Sequence, residues 1–308
     1  MKVYKNASEY DKKPSVVTIG TFDGVHIGHK AILKRLTDAA EANRLESVLL
    51  TFFPHPRQVV QSVSNLRLIN TIEEKKKLLE KEGLGSLVIH PFTKEFSRLT
   101  AEEYVRDILV KELAAKKIII GYDHRFGRNR TADISDLKEY GKIYGFEVVE
   151  ISAQELDEVA VSSTKIRRAL ENGDIATANN YLGYEYFLTG TIVKGRKIGR
   201  TINFPTANIH IDETYKLIPK IGVYVVRTLI NNKTYYGITS IGTNPTVNGD
   251  TKTIETHLLD FEGDLYGKTL EISFLKYIRE EKKFESVPEL QSAIEEDEVF
   301  ARAYLNNR

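Results

Sequence analysis

Two imidazoles three residues apart, His26 and His29, follow the glycine-bracketed turn Gly20-Thr21-Phe22-Asp23-Gly24 and precede an amphipathic run. A pair of imidazoles can donate hydrogen bonds to phosphate oxygens and offset charge that develops on them. The apolar residues 16–19 ahead of the turn read as a buried strand, and residues 30–43 after it read as a helix. Strand, tight turn and helix start together present unpaired backbone N–H groups and the positive end of a helix dipole. The glycines let a polyphosphate approach the backbone closely. This stretch points to nucleotide chemistry.

A second anion cradle lies at Ser162-Ser163-Thr164-Lys165-Ile166-Arg167-Arg168, hydroxyls followed by cations at the opening of a helix. Ser163 and Thr164 can cap that helix and contact phosphate, while the Arg167 fork spreads over phosphate oxygens. A Ser-Ser-Thr run alone is an ordinary helix cap. Its weight comes from sharing a chain with the histidine turn. Nucleotidyl transfer asks a protein mainly for positioning and charge neutralisation, which two imidazoles and an arginine supply.

A third group of residues sits in the C-terminal half. Gly190 to Arg200 is rich in glycine and cations, with Gly195, Lys197, Gly199 and Arg200 suited to cover phosphates. Directly after come Pro205, Thr206 and Asn208. A Thr and an Asn two apart on an extended segment face the same side and can share a hard, oxygen-ligated Mg²⁺. Glu255 interrupts an apolar strand, where a carboxylate suits either an exposed edge or a base that takes a hydroxyl proton.

The elements that must position these groups follow two rhythms. Up to about residue 183, apolar runs at 16–19, 48–53, 87–89, 118–120 and 146–151 alternate with helical patterns at 30–43, 71–82, 101–113 and Ile134–Tyr144. Strands buried on both faces with helical crossovers predict a parallel sheet, whose ligands bind beyond the carboxyl ends of its strands. From about Tyr184, β-type runs at Phe187–Val193, Gly222–Ile230, 233–241, 253–261 and 269–278 follow one another without helices, which predicts an antiparallel barrel. Ser286 and Glu289 form a capping-box pattern for one closing helix. Residues 167–182 read as a helical connector. The expected domains are therefore 1–183, α/β and Rossmann-like with the connector, and 184–308, a β-barrel with a terminal helix.

Composition sets the class. The chain has 308 residues, 41% hydrophobic and 28% charged, with a formal net charge of +1 and no cysteine. That size favours two cores. The near-zero charge argues against a nucleic-acid partner, and the lack of cysteine excludes disulfides and thiolate metal sites. The first 14 residues lack an apolar secretory core, and no run approaches the ~20 apolar residues of a membrane span. A cytoplasmic protein without a membrane partner, monomeric or a weak homo-oligomer, is the expectation.

Taken together, the motifs resemble known enzymes. A His-x-Gly-His turn occurs in class I aminoacyl-tRNA synthetases and in small nucleotidyltransferases, but the synthetases' Lys-Met-Ser-Lys-Ser loop is missing here. Gly20 to His29, Phe53-Pro54-His55-Pro56, Gly121-Tyr122-Asp123 with Phe126-Gly127, and Ser163 to Arg167 resemble the FMN adenylyltransferase module of bacterial FAD synthetases. The resemblance implies ATP held by Gly20, Thr21, Phe22, Asp23, Gly24, His26, His29, Ser163, Thr164 and Arg167. It implies FMN held by Pro54, His55, Pro56, Asp123, Arg125, Phe126, Arg128 and Arg130. His124, Thr131-Ala132 and Asn203 depart from the family pattern, the first two at the flavin end.

The C-terminal half resembles riboflavin kinase, most specifically in Pro205-Thr206-Ala207-Asn208 and Glu255-Thr256-His257-Leu258-Leu259-Asp260-Phe261. That resemblance implies Mg²⁺ and ATP phosphates at Thr206 and Asn208, Glu255 as the base for the ribityl hydroxyl, and Asn244 and Arg279 near the ligands. The activity implied is bifunctional: riboflavin to FMN on the barrel, then FMN to FAD with release of pyrophosphate on the α/β half. Its rivals are an enzyme with one working half and a flavin-binding regulator without turnover.

Overall fold

A computed structural model describes residues 1–60, 66–122, 124–152, 161–195, 204–246 and 249–308, with 244–246 and 249–251 as backbone only. The chain forms two units, Met1–Ser163 and Thr164–Arg308.

The first unit is a parallel sheet of six strands: β1 (Lys2–Tyr4), β2 (Ser15–Ile19), β3 (Glu46–Phe53), β4 (Ser86–Pro91), β5 (Ala115–Gly121) and β6 (Glu147–Ile151). Their order is β1-β4-β3-β2-β5-β6. The chain steps outward from β2 to β3 and β4, then crosses to the other side of β2 and continues to β5 and β6. The order therefore reverses between β2 and β5, which pair directly through Val17–Ile118 and Thr18–Ile119. Loops leaving both strands open at the same sheet edge, where doubly wound folds bind ligands.

Helix α1 (Ile27–Asn43) buries Leu33, Leu36 and Ala40 on one face, and Arg44 ends it in the left-handed conformation (φ 55°). Pro56–Val60 forms the short α2 and Ile72–Lys81 forms α3, which starts from a Thr71–Glu74 capping box. In α4 a first turn, Ala101–Glu103, runs into the wider Tyr104–Glu112, where Leu113 N–H reaches back five residues to Ile108 O (3.0 Å). Ile134–Tyr144 is α5. Val17, Ile19, Val48, Leu50, Ile118 and Ile120 form the sheet's core with Val105 and Leu109 of α4, each buried side chain contributing roughly 1.5–3 kcal/mol. The periodic elements follow the sequence reading; β1 and α2 are additions.

The second unit opens with α6 (Ser163–Glu171 with its first residue in the first unit) and α7 (Ile175–Leu182), so the expected connector is two helices broken at Asn172-Gly173. The sequence groups them with the first half. Their bonds run to the barrel instead: Lys220 N–H to Leu170 O (3.0 Å) and Asn179 Nδ2 to Phe274 O (2.9 Å).

Strands β7 (Phe187–Val193), β8 (Thr206–His210), β9 (Gly222–Ile230), β10 (Lys233–Thr246), β11 (Gly249–Leu258) and β12 (Thr269–Arg279) close an antiparallel barrel in the order β10-β11-β8-β7-β12-β9. β10 and β11 run further toward each other than the apolar pattern predicts, because their polar tips pair as a hairpin. β8 was expected only as an extended segment; its ladder to β11 and β7 makes it a strand. The last helix, α8 (Val287–Asn306), begins at Ser286, whose hydroxyl accepts Glu289 N–H (3.4 Å). The reciprocal half of that box is diverted: the Glu289 carboxylate accepts from Glu285 N–H (2.9 Å).

Candidate active sites at the histidine turn and on the barrel

The turn after β2 places His26 at the N-cap of α1, with Nδ1 accepting from His29 N–H (3.3 Å). An accepting Nδ1 puts the proton of a neutral imidazole on Nε2, leaving that N–H available to a ligand. The His26 and His29 rings stack at 3.6 Å and 15°, and Phe22 stacks on His29 at 4.5 Å and 24°. Burial pushes His26 down to about 4 against the opposing pull of Asp23. His29 is held well below its ordinary value by burial, then by His26 and Lys75. His29 is partly exposed as a residue, while its Nδ1 is buried without a hydrogen-bond partner. Burial thus keeps both rings in the neutral form at pH 7.

Gly24 has φ 92°, a conformation L side chains rarely adopt, which fixes glycine in this turn. Gly20 caps β2 by donating to Leu50 O (3.1 Å), and Thr21 O accepts from Thr51 Oγ1 (3.2 Å) and Lys75 Nζ (2.7 Å). Asp23, expected at the nucleotide, is almost fully buried, and its Oδ1 accepts from Ile69 N–H (2.9 Å) and Asn70 N–H (3.4 Å). That carboxylate is a clamp within the protein. Ser163 Oγ donates to Asp23 O (2.8 Å), so the second motif begins against the first. Thr164 and Arg167 follow along α6.

At the flavin end, Phe53–Pro54 is a cis peptide, and His55 Nδ1 accepts from Arg57 N–H (3.1 Å) at the start of α2, whose first residue is Pro56. The loop after β5 is closed by Phe126 and Ala132, which exchange backbone hydrogen bonds (3.1 and 3.2 Å). Phe126 is buried in the core against Tyr104. Arg128 and Arg130 are exposed, and Arg125 pairs with Asp133 (3.4 Å). The departure at Thr131-Ala132 has a local reason: Thr131 Oγ1 bonds Arg128 O (3.1 Å), its backbone φ is −78°, and Ala132 is buried. No glycine is needed there. His124 stacks on Phe126 at 6.1 Å. Asp123 lies outside the described residues.

On the barrel, the β8–β11 register sets Asn208 opposite Glu255 and Thr206 opposite His257. Thr206 Oγ1 donates to Glu255 Oε2 (3.3 Å) across 49 positions of sequence. A Cβ at Gly195 would collide with the Asn208 amide, so the backbone of Gly195 approaches this point closely. A cavity of about 300 Å³ opens beside Pro205 and Thr206, walled by Ile192, Leu258 and the 261–266 turn. Among the described residues no cluster of His, Asp or Glu can hold a metal alone. The hydroxyl, amide and carboxylate oxygens of Thr206, Asn208 and Glu255 fit a hard cation that shares its shell with phosphate.

Arg279, expected at the ligands, has Nε and Nη2 committed to Asp297 of α8 (2.9 and 2.7 Å). That fork joins barrel to helix. Lys197, Gly199, Arg200, Asn203 and the Asn244 side chain lie outside the described residues. Sequence reasoning missed Lys75, Thr51 and Glu281; the Glu281 carboxyl is pushed up by partial burial and by the charge of Glu255. None lies in a local motif, and only the fold brings them in.

A family model described as FAD synthetase matches residues 8–165, and one described as riboflavin kinase matches residues 182–305. The chain is 38% identical over 292 residues to a bifunctional riboflavin kinase/FMN adenylyltransferase of Listeria monocytogenes, covering 94% of this chain and 92% of that one. It is 36% identical over 301 residues to the Escherichia coli K12 protein of the same description, covering 97% and 96%. A crystal structure described as a macrolide-efflux protein from Streptococcus pneumoniae matches with a TM-score of 0.87 at 32% identity, covering 97% of this chain and 98% of that one. Among the described residues no helix is long and apolar enough to cross a membrane. With both halves matched in order and relatives aligned over nearly the full length, the chain belongs to the bifunctional riboflavin kinase/FMN adenylyltransferase family.

Proposed function

We propose that the two constellations divide the family's two reactions between them, FMN adenylation at the histidine turn and riboflavin phosphorylation at Thr206, Asn208 and Glu255. One observation carries the reading. Residues remote in sequence converge at each motif, as Thr206 and Glu255 do at 3.3 Å.

In the first reaction an FMN phosphate oxygen attacks the α-phosphorus of ATP. The P–O bond to the β-phosphate breaks and pyrophosphate leaves. The His26 Nε2–H and the His29 ring face charge that grows on the transferring and departing phosphates, and backbone N–H groups at the start of α1 add to it. Arg167, Ser163 and Thr164 carry the remaining phosphate contacts in this reading. The exposed Arg128 and Arg130, with Pro54 and His55, supply the FMN end. No covalent nucleophile is required.

In the second reaction Glu255 takes the proton of the terminal ribityl hydroxyl as its oxygen attacks the γ-phosphorus, and ADP leaves. Thr206 and Asn208 would hold Mg²⁺, which supplies charge neutralisation between the phosphates. The cavity beside Pro205 seats the nucleotide. The family's chemistry suits the cytoplasm.

The test separates FMN from FAD after incubation with ATP, Mg²⁺ and either riboflavin or FMN. His29→Ala is expected to lower FAD formation by about a thousandfold and spare FMN formation. Glu255→Gln is expected to lower FMN formation about a thousandfold and spare FAD made from supplied FMN. Equal loss of both activities in either variant would contradict two independent sites.

A further inference from the structure

The turn after β2 is strained. Phe22 (φ 45°) and Val25 (φ 37°) both occupy the left-handed region on either side of Asp23 and Gly24. Non-glycine residues persist there only when their surroundings over-determine the backbone. Four groups do so: the buried Asp23 carboxylate on Ile69 and Asn70, the partly buried Ser163 on Asp23 O, and the buried Thr51 and Lys75 together on Thr21 O. Lys75 is the costly member. Its side chain is 3% exposed, and it is the fourth residue of α3, where a helix start disfavours a cation. Among the described residues its ammonium makes one hydrogen bond, the 2.7 Å bond to Thr21 O. Thr51 already satisfies that carbonyl, so hydrogen bonding alone does not require a charge.

The location gives the charge a use. In a trans peptide the C=O and the following N–H point opposite ways, so drawing Thr21 O inward aims the Phe22 N–H outward from the core. Burial pulls the Lys75 ammonium below its ordinary value and the Asp23 charge opposes that pull, while the ammonium in turn disfavours a second positive charge on His29. We propose that Lys75 is a positioning residue for adenylyl transfer. Its buried charge pins the strained turn with the Phe22 amide outward and places a positive potential beneath the seat of the nucleotide phosphates. It does not touch the nucleotide. The inference rests on the reading of this turn as the ATP site.

The test uses the full-length enzyme and steady-state kinetics of FAD formation from FMN. Lys75→Gln keeps a donor for Thr21 O without the charge, Lys75→Met removes both, and Lys75→Arg keeps the charge. For Gln and Met the KM for ATP is expected to rise about tenfold or more, with kcat changed less than about threefold and the kinase reaction untouched. The Arg variant is expected to stay within about threefold of the parent KM. A folded Gln or Met variant with the parent KM for ATP would reduce Lys75 to packing and overturn the proposal. So would a folded Arg variant as impaired as Met, which keeps the test decisive if the neutral variants do not fold. His29→Ala in parallel separates the two levels: FAD formation that survives it overturns the site itself, whereas loss there with normal Lys75→Gln kinetics overturns only the role of Lys75.

Discussion

The two units place their chemistry by different means. The α/β unit concentrates it at one turn, where a helix start and two neutral imidazoles are held in a strained backbone. The barrel spreads it over facing strands, where register brings Thr206 and Asn208 opposite His257 and Glu255 in ordinary extended conformation. A turn needs support from outside itself, and that support comes from Thr51, Ile69, Asn70 and Lys75. A ladder is supported by its own hydrogen bonds. The first site is therefore the more sensitive to changes outside its motif.

Removing one buried carboxylate from each unit tests this most severely. Asp23→Ala strips two backbone amides of their acceptor and leaves the Lys75 ammonium buried without the carboxylate charge that offsets its burial. The expected loss is about 3–5 kcal/mol in the α/β unit. Asp297→Ala frees Arg279, which is itself 27% exposed and can turn to water, so the barrel unit is expected to lose about 1–3 kcal/mol. Calorimetry that resolves the two transitions reads both. Equal losses would erase the distinction.

How far the sequence carried depends on the range of the interactions. Residues 16–19 and 118–120 were legible as strands because both faces are buried, and Ile134–Tyr144 as a helix because its apolar face repeats. Lys2–Tyr4 was not, since two exposed residues and a half-buried one become a strand only by pairing with β4. Thr206–His210 alternates too little to announce a strand. The histidine pair was legible from its motif, but Asp23 was not legible as a clamp, because Ile69 and Asn70 lie 46 and 47 residues away. Arg279 reads as a free guanidinium until α8 brings Asp297 to it. Lys75 carries no local signal at all.

Acid provides the next separation. His26 titrates at about 4 in the folded unit and near 6.5 unfolded, so the unfolded chain binds the proton first as pH falls. The α/β unit's stability is full above about pH 6.5 and declines toward pH 4, by on the order of 3 kcal/mol from this residue. His29 and His90, also lowered by burial, act with the same sign. In the barrel unit burial raises Asp297 above its ordinary value despite Arg279, so acid relieves a penalty there. Urea titrations at pH 7, 5.5 and 4.5 are expected to weaken the first transition ahead of the second. A barrel that weakens first would reverse the assignment.

The smallest expected effect sharpens the comparison furthest, because it uses the same chemistry in both units. Thr71 and Ser286 are helix N-caps whose hydroxyls accept Glu74 N–H (3.1 Å) and Glu289 N–H (3.4 Å). Each change to Ala is expected to cost about 1 kcal/mol, somewhat more at Thr71, where the capping box is complete and buried. The difference lies in what each helix carries. The first turn of α3 holds Lys75 under the phosphate turn, so fraying it loosens Thr21 O. Helix α8 meets the barrel through Asp297 and Ala301, more than two turns from its cap. Thr71→Ala is therefore expected to raise the KM for ATP in FAD formation by about two- to fivefold, while Ser286→Ala leaves the kinase KM for ATP unchanged. If both variants lose stability alike and neither KM moves, support at a distance is no more important to the turn than to the ladder.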